Sequence, residues 1–238
     1  RAIERVCAHL GVPISDTYGF GDSMNDLEMI QTVGTSVCMA NGAEALKKIS
    51  SVVCPSVEED GLYVLSAIPY VAAIGETKYI SLAAAVEAAE AGATVTLLGD
   101  TTGAGVVIDK DIIIDLAGYT YTFNQTVGST GTTTLGLQIL VNNDVEIKNG
   151  TLTSVATVEG SKEVKVLIQN YANLTLTDVN LVDNTEHIMY ALSNNSGEIV
   201  LNGNTNITTD AVAFDTCKYA SYAIPTVTVN TTGTISGN

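Results

Sequence analysis

Apolar positions along this chain follow two periods in succession. Ile3, Val6, Cys7 and Leu10 recur at helical spacing, which predicts the end of an amphipathic helix over residues 2–10, stopped by Gly11 and Pro13. Apolar runs of strand length then alternate with helical ones: a strand at about 17–20, a helix at 24–33, a strand at 36–39, a helix from Glu44 to Ile49 and a strand from Ser51 to Cys54. Such alternation predicts a parallel α/β layer, with too few strands to finish a doubly wound sheet. From about residue 70 the period becomes two. Ser81 is placed to cap one helix through Leu82, Val86 and Ala89, ending near Gly92. Strands are then expected at Thr94–Leu98, Val106–Ile108, Ile112–Leu116, Thr120–Phe123 and Leu137–Val141, with no further clear helix.

The later part repeats. Val145-Glu146-Ile147 is echoed by Leu174-Thr175-Leu176, Ile199-Val200-Leu201 and Val227-Thr228-Val229, and each triplet is followed by a further apolar residue, at Leu152, Leu181, Ile207 and Ile235. The third members of the triplets lie 29, 25 and 28 residues apart. A unit recurring at this interval predicts a solenoid, because one round of chain cannot bury its own apolar face and stacking buries it. Strand alternation turns those side chains inward. Asn and Thr at the turns can ladder from round to round. The last round is expected to leave Val227, Val229 and Ile235 partly exposed, an open edge through which the chain can associate.

Composition supports a globular chain: of 238 residues, 46% are hydrophobic and 15% charged. No apolar stretch is long enough for a membrane span. Residues 1–10 mix Arg, Glu and His into a helical pattern and show no secretory signal; the opening reads as clipped, which leaves export open. The net charge of −16 excludes nucleic acid as a partner and suits cations. Cys7, Cys38, Cys54 and Cys217 form no C-x-x-C pair, so buried free thiols are expected in place of a zinc site or a disulfide framework.

Chemistry concentrates at Gly21-Asp22-Ser23-Met24-Asn25-Asp26, between the predicted strand at 17–20 and the helix after it. In an open α/β sheet ligands sit beyond the carboxyl ends of the strands, and two carboxylates flanking a carboxamide there offer the hard oxygens that Mg²⁺ takes. The same residues also make an ordinary Asx-rich turn and helix cap. Both readings stand at this level.

The run Gly21–Ile30 resembles the acidic motif of Cof-type haloacid dehalogenase-like hydrolases. Val33–Gly42 resembles that family's next strand and turn, Ala45-Leu46-Lys47-Lys48 the helix after it, and Glu58-Glu59-Asp60-Gly61 its acidic-glycine step. The resemblance implies a Mg²⁺-dependent phosphatase of small phosphorylated metabolites, mainly cytoplasmic. It also implies that Asp22 is the direct metal ligand, that Asp26 assists and that Asn25 orients neighbouring loops. The family also needs an Asp nucleophile in a D-x-D-G/T loop, a Ser or Thr, and a Lys. Here Asp109-Lys110-Asp111 is the one D-x-D run, and Ile112-Ile113-Ile114 follows it where the loop needs Gly-Thr. It reads better as a turn between strands, so catalysis by these residues is expected to be incomplete and Mg²⁺ binding weak.

The second part resembles the right-handed parallel β-helix of pectate-lyase-like proteins. Tyr79–Leu82 through Ala91–Leu98 is similar to the capping helix and first strand of such domains in bacterial surface proteins, which implies an extracellular module touching glycans or a host surface. The expected fold is therefore an incomplete Rossmann-like fragment over residues 1–66 followed by a parallel β-helix over 67–238. Residues 66–238 hold no Arg to act as a lyase base. Asp210, Asp215 and His187 are candidates for glycoside hydrolysis, with turn capping as the alternative. Tyr119, Tyr121, Tyr171, Tyr190, Tyr219 and Tyr222 can stack on sugar rings or sit as half-buried strand residues.

Overall fold

The computed structural model describes residues 2–56, 70–129, 132–156, 163–183 and 185–238. The chain divides into two compact units, 1–69 and 70–238. The expected boundary at 66/67 and the Glu58–Gly61 step lie outside the described residues.

In the first unit, α1 (Ala2–Leu10) precedes β1 (Tyr18–Gly21), α2 (Leu27–Ile30), β2 (Thr35–Met39), α3 (Glu44–Lys47) and β3 (Val52–Cys54). The strands form a three-stranded parallel sheet with β2 in the middle. Its Ser36, Val37 and Cys38 are all buried, the continuous pattern of a strand covered on both faces. Ile30, Cys38 and Leu46 make a small core, with Leu27, Met29 and Ala43 against it. Two expectations need correction. The helix expected at 24–33 is a 3₁₀ turn, Met24–Asp26, leading into the short α2, because Ser23 and Asp26 draw the first turn tight through their own hydrogen bonds. The apolar stripe of α1 buries only Cys7, while Val6 and Leu10 are exposed, since no element among the described residues covers that face.

The second unit opens with an antiparallel hairpin, β4 (Ala72–Ile74) and β5 (Thr77–Tyr79), followed by α4 (Leu82–Ala88), whose N-terminus is capped by the Ser81 hydroxyl accepting the Ala84 N–H at 3.1 Å. Lys110 closes the other end of α4 by donating to the Glu87 and Ala89 carbonyls. Then come β6 (Ala93–Leu97), β7 (Thr101–Ala104), β8 (Val106–Ile108), β9 (Ile112–Asp115), β10 (Thr120–Gln125), β11 (Leu135–Ile139) and β12 (Asp144–Ser154). After them lie β13 (Val166–Asn170), β14 (Asn173–Asp183), β15 (Tyr190–Asn194), β16 (Glu198–Asn202), β17 (Asn206–Thr209), β18 (Val212–Thr216), β19 (Thr226–Val229) and β20 (Ile235–Ser236). They form large mixed sheets, one of 12 strands and one of five, and among the described residues the antiparallel pairing is that of β4 with β5 and β6 and the single bridge between Val127 and Leu135.

The parallel pairs fall into three ladders. One runs β6, β9, β12, β14, β16 and β19; a second runs β7, β10, then the later halves of β12 and β14, then β17 and β20; a third runs β8, β11, β13, β15 and β18. Among the described residues, strands that follow one another in sequence past β6 do not pair, so the chain visits each ladder in turn before returning to pair with itself. The repeated triplets meet in register: Val145, Leu174, Ile199 and Val227 form one row, and Ile147, Leu176, Leu201 and Val229 another. Leu152, Leu181, Ile207 and Ile235 form a third. Apart from the last members, these residues are buried within one continuous core that also holds Leu82, Ala85 and Val86 of α4.

Where the chain bends from the first ladder to the second, Asn149, Asp178 and Gly203 take left-handed backbone at φ 59°, 56° and 61°. Asn, Asp and Gly are the residues that accept this conformation at least cost, so these three positions set the corner. The turns are tied by side chains: Asp111 accepts the Asp144 N–H, Asp144 accepts the Asn173 amide, and Asn173 accepts the Glu198 N–H. Leu176 is fully buried between Ile147 and Leu201. Leu176→Ala is therefore expected to cost about 2–5 kcal/mol, read by chemical denaturation followed through far-UV circular dichroism; a change within experimental error would contradict this packing.

Candidate functional site

The acidic turn leaves the carboxyl end of β1. Its six residues are held from within: Asp26 Oδ2 accepts the backbone N–H of Asp22 at 3.1 Å and of Ser23 at 3.2 Å, and lies 3.4 Å from the Ser23 hydroxyl, which donates to it. This is a carboxylate spent on orphan amides at a helix start. The turn after β2 supports it from beneath, since the Ala43 N–H donates to the Asp22 carbonyl at 2.8 Å. Two glycines permit this closeness. A Cβ on Gly21 would stand 2.5 Å from the Asp26 Cβ, and one on Gly42 would stand 2.8 Å from the Cys38 sulfur and 2.9 Å from the Asp22 carbonyl oxygen.

Asp22 is exposed, and its carboxylate takes part in no hydrogen bond or ion pair among the described residues. Asn25 is also exposed, and its amide makes no hydrogen bond among them. The three residues singled out in the sequence thus share one turn but differ in what they do there: Asp26 shapes it and Asp22 is presented outward. Burial pushes the Cys38 thiol up, with Lys47 opposing and Cys54, Asp22 and Asp26 adding to the rise. Below the turn, the buried Cys54 donates to the Met39 sulfur at 3.2 Å. No cluster of three His, Cys, Asp or Glu side chains that could cage a metal occurs among the described residues. One free, hard carboxylate on a fixed turn still fits a hydrated magnesium ion, which takes one or two carboxylates and keeps waters.

The candidates of the second unit are dispersed. Asp109 and Lys110 lie in the turn between β8 and β9, with the Lys110 ammonium 4.0 Å from the Asp109 carboxylate. His187 Nδ1 pairs with Glu163 Oε2 at 3.0 Å. Asp215 accepts the Ser193 hydroxyl at 3.5 Å and ends a polar row that runs Gln138, Gln169, Ser193, Asp215 in register. Asp210 is exposed, and its carbonyl accepts the Asn238 amide. No hydrogen bond or ion pair among the described residues joins Asp210, Asp215 and His187. Cys217, expected as a buried thiol, is exposed and donates to the Asn195 Oδ1 at 3.0 Å, because its strand has passed the end of the third ladder's core.

Sequence reasoning missed the buried polar residues. Asn170 and Asn194, both fully buried, occupy one row of the third ladder, and the Asn170 amide donates to the Asn194 Oδ1 at 3.0 Å. Asn170 also closes its own turn through Ala172, donating to the carbonyl at 2.7 Å and accepting its N–H at 3.2 Å. Buried Asp183 accepts the Ser154 hydroxyl and the Thr185 N–H. The available signal was the shared ending of Val166-Leu167-Ile168-Gln169-Asn170 and Tyr190-Ala191-Leu192-Ser193-Asn194, an apolar run closed by Asn at the same register. Tyr121 is buried, and burial pushes its phenol well above the ordinary value; its hydroxyl donates to the Ala104 carbonyl at 2.8 Å.

Comparison with known proteins bears on the first unit. Residues 1–65 match the family described as haloacid dehalogenase-like hydrolase. YkrA of Bacillus subtilis (strain 168) is 48% identical over 60 residues, which cover 25% of this chain and 23% of YkrA. YitU of the same organism, a 5-amino-6-(5-phospho-D-ribitylamino)uracil phosphatase, is 38% identical over 60 residues, covering 25% and 22%. Phosphatase YwpJ, again from that organism, is 34% identical over 62 residues, covering 26% and 22%. The chain spans less than a quarter of the length of these curated relatives. The first unit is haloacid dehalogenase-like and related to phosphatases at the level of the family. Among the described residues, no helix is long and apolar enough to cross a membrane.

The division of labour between the two carboxylates is open to measurement. Asp26→Ala removes the acceptor of two turn amides and is expected to destabilise the first unit by about 0.5–2 kcal/mol. Asp22→Ala removes an exposed, unengaged group and should stay within about 0.5 kcal/mol. Denaturation followed through the amide signals of Val37 and Cys38 reads both; equal effects would mean that Asp26 does not hold the turn.

Proposed function

We propose that the first unit carries the metal-binding turn of a Cof-type phosphatase acting on small phosphorylated metabolites, with Asp22 as the direct Mg²⁺ ligand, Asp26 assisting and Asn25 orienting neighbouring loops. The observation that carries this reading is the turn itself: Asp22 stands exposed at the carboxyl end of β1 while Asp26 Oδ2 holds the amides that fix it. A magnesium ion bound there would lower the charge on a transferring phosphoryl group. Asp22 would bind it, and Asp26 would keep the turn rigid enough to present that carboxylate. Aspartyl catalysis also needs a nucleophile. The one D-x-D run, Asp109-Lys110-Asp111, lies in the other unit and its first two residues form a strand-to-strand turn. The 238 residues are therefore read as catalytically incomplete, with cytoplasmic function for this unit.

We propose further that residues 67–238 form a separate domain, a right-handed parallel β-helix of the pectate-lyase-like kind, and that it serves outside the cell as a module binding glycans or a host surface. Three parallel ladders visited in turn, with α4 packed against the first strands, support this architecture. Parallel connections within one sheet take the right hand. Among the described residues β19 and β20 pair on one side only, and Val229 and Ile235 are exposed.

Titration with Mg²⁺, followed by amide shifts, should move Gly21, Asp22 and Ser23 with a dissociation constant on the order of millimolar or weaker, and Asp22→Ala should abolish the response. Hydrolysis of p-nitrophenyl phosphate by the same chain should stay at background. Tight binding, or turnover lost in Asp22→Asn, would overturn the incompleteness; no magnesium response at that turn would overturn its role.

A further inference from the structure

The second unit holds a groove that none of its candidate acids enters. It has a volume of about 300 Å³ and lies where successive turns connect the third ladder back to the first: Asn142 and Asn143 contribute from one turn, Tyr171 from the next and Ser196 from the one after, with Tyr222 at the rim. Among the described residues its lining contains no charged side chain, in a chain whose net charge is −16. Tyr171, Tyr219 and Tyr222 form a cluster in which Tyr171 meets Tyr219 and Tyr222 edge-to-face at ring centroids 5.6 and 6.1 Å apart and Tyr219 and Tyr222 are tilted at 5.7 Å, and Tyr219 and Tyr222 are substantially exposed.

The polar groups of the groove are not all consumed by the fold. The Ser196 hydroxyl is buried, with no hydrogen-bond partner among the described residues. Asn143 gives its amide hydrogens to the Leu140 and Val141 carbonyls, and its own oxygen has no donor among the described residues. Asn142 is held in left-handed backbone at φ 65°, and its amide makes no hydrogen bond among them. A buried hydroxyl without a partner is costly, so a ligand that supplies one repays a standing deficit. Tyrosine offers an apolar face and a polar rim at low entropic cost, and Asn and Ser offer adaptable hydrogen bonds.

We propose that this groove is a binding site for a neutral saccharide, with the Tyr171–Tyr222 wall taking the apolar face of a sugar ring and Asn142, Asn143 and Ser196 taking its hydroxyl groups. An anionic ligand would find no cation in the lining. A cationic one would find no carboxylate there. A neutral ligand with both C–H faces and hydroxyl groups meets every group present. The proposal rests on reading the second unit as a binding module and assigns that module's ligand class and location.

Affinity electrophoresis of the whole chain through gels containing dextran, mannan, β-glucan, galactan or polygalacturonate tests it. At least one neutral polysaccharide should retard the chain, and polygalacturonate should not. Tyr222→Ala should weaken that retardation at least about tenfold while the far-UV spectrum stays unchanged and the thermal midpoint falls by no more than a few degrees, as expected for a half-exposed side chain with two ring contacts. Ser196→Ala, which removes the unpartnered hydroxyl, should weaken retardation without lowering the midpoint. Retardation by a neutral polysaccharide that Tyr222→Ala leaves intact would overturn this site and leave the binding module standing. Retardation by polygalacturonate alone would overturn the neutral ligand class. No retardation by any of the five would overturn both the site and the glycan-binding reading. If Ser196→Ala leaves binding unchanged while Tyr222→Ala abolishes it, the hydroxyl's assigned role is overturned.

Discussion

Parallel pairing between residues some 19 to 33 positions apart is the constraint on which the second unit depends. A strand that pairs with its chemical successor needs only a tight turn; a strand that pairs in parallel with one so far away needs the intervening chain to travel elsewhere and return in register. Here the travel is used to build the other two ladders. Each return lays Leu or Ile over Ile or Leu, so rows such as Ile147–Leu176–Leu201 bury without any one round having a core of its own. A register slip of one residue would turn the whole row outward, which is why the corner residues Asn149, Asp178 and Gly203 matter as much as the aliphatic ones.

The first unit works on a smaller scale. Its core is Ile30, Cys38 and Leu46 with their neighbours, and its order at the acidic turn comes from hydrogen bonds between near residues more than from burial. That arrangement has a functional consequence. A turn whose shape is set by Asp26 can present Asp22 without needing the rest of a large domain to hold it, whereas a reaction at that carboxylate needs a nucleophile from elsewhere. The sequence relation to haloacid dehalogenase-like hydrolases covers residues 1–65, and the second unit's role is argued from its own surface.

Much of this was legible in the residues, and unevenly so. The repeated triplets predicted their own pairing rows, because stacked strands require an inward-facing aliphatic at the same place in every round. The α4 cap was visible in Ser81. Elements defined by long-range polar contacts were not. Asn170 and Asn194 look like turn residues in a local window, and only the stacking of β13 on β15 makes them a buried pair. The hairpin β4–β5 is too short and too rich in Ala for an alternation signal. The helix expected at 24–33 was overruled by the capping contacts of Ser23 and Asp26, and the exposure of Val6 and Leu10 shows that an amphipathic pattern states a preference that neighbours must satisfy. The acidic turn could be located from sequence, yet the different roles of its two carboxylates appear only in the hydrogen bonds.

Native-state hydrogen exchange tests the central claim, that the second unit is held by shared ladders and the first by local contacts. Amides of β12, β14 and β16 should be the slowest in the chain and should open together, since each row shares its burial with the next. Amides of β1, β2 and β3 should exchange at distinctly lower opening free energy. If β1 to β3 prove as slow as β14, or if β12, β14 and β16 open one at a time, the ladders do not carry the stability assigned to them.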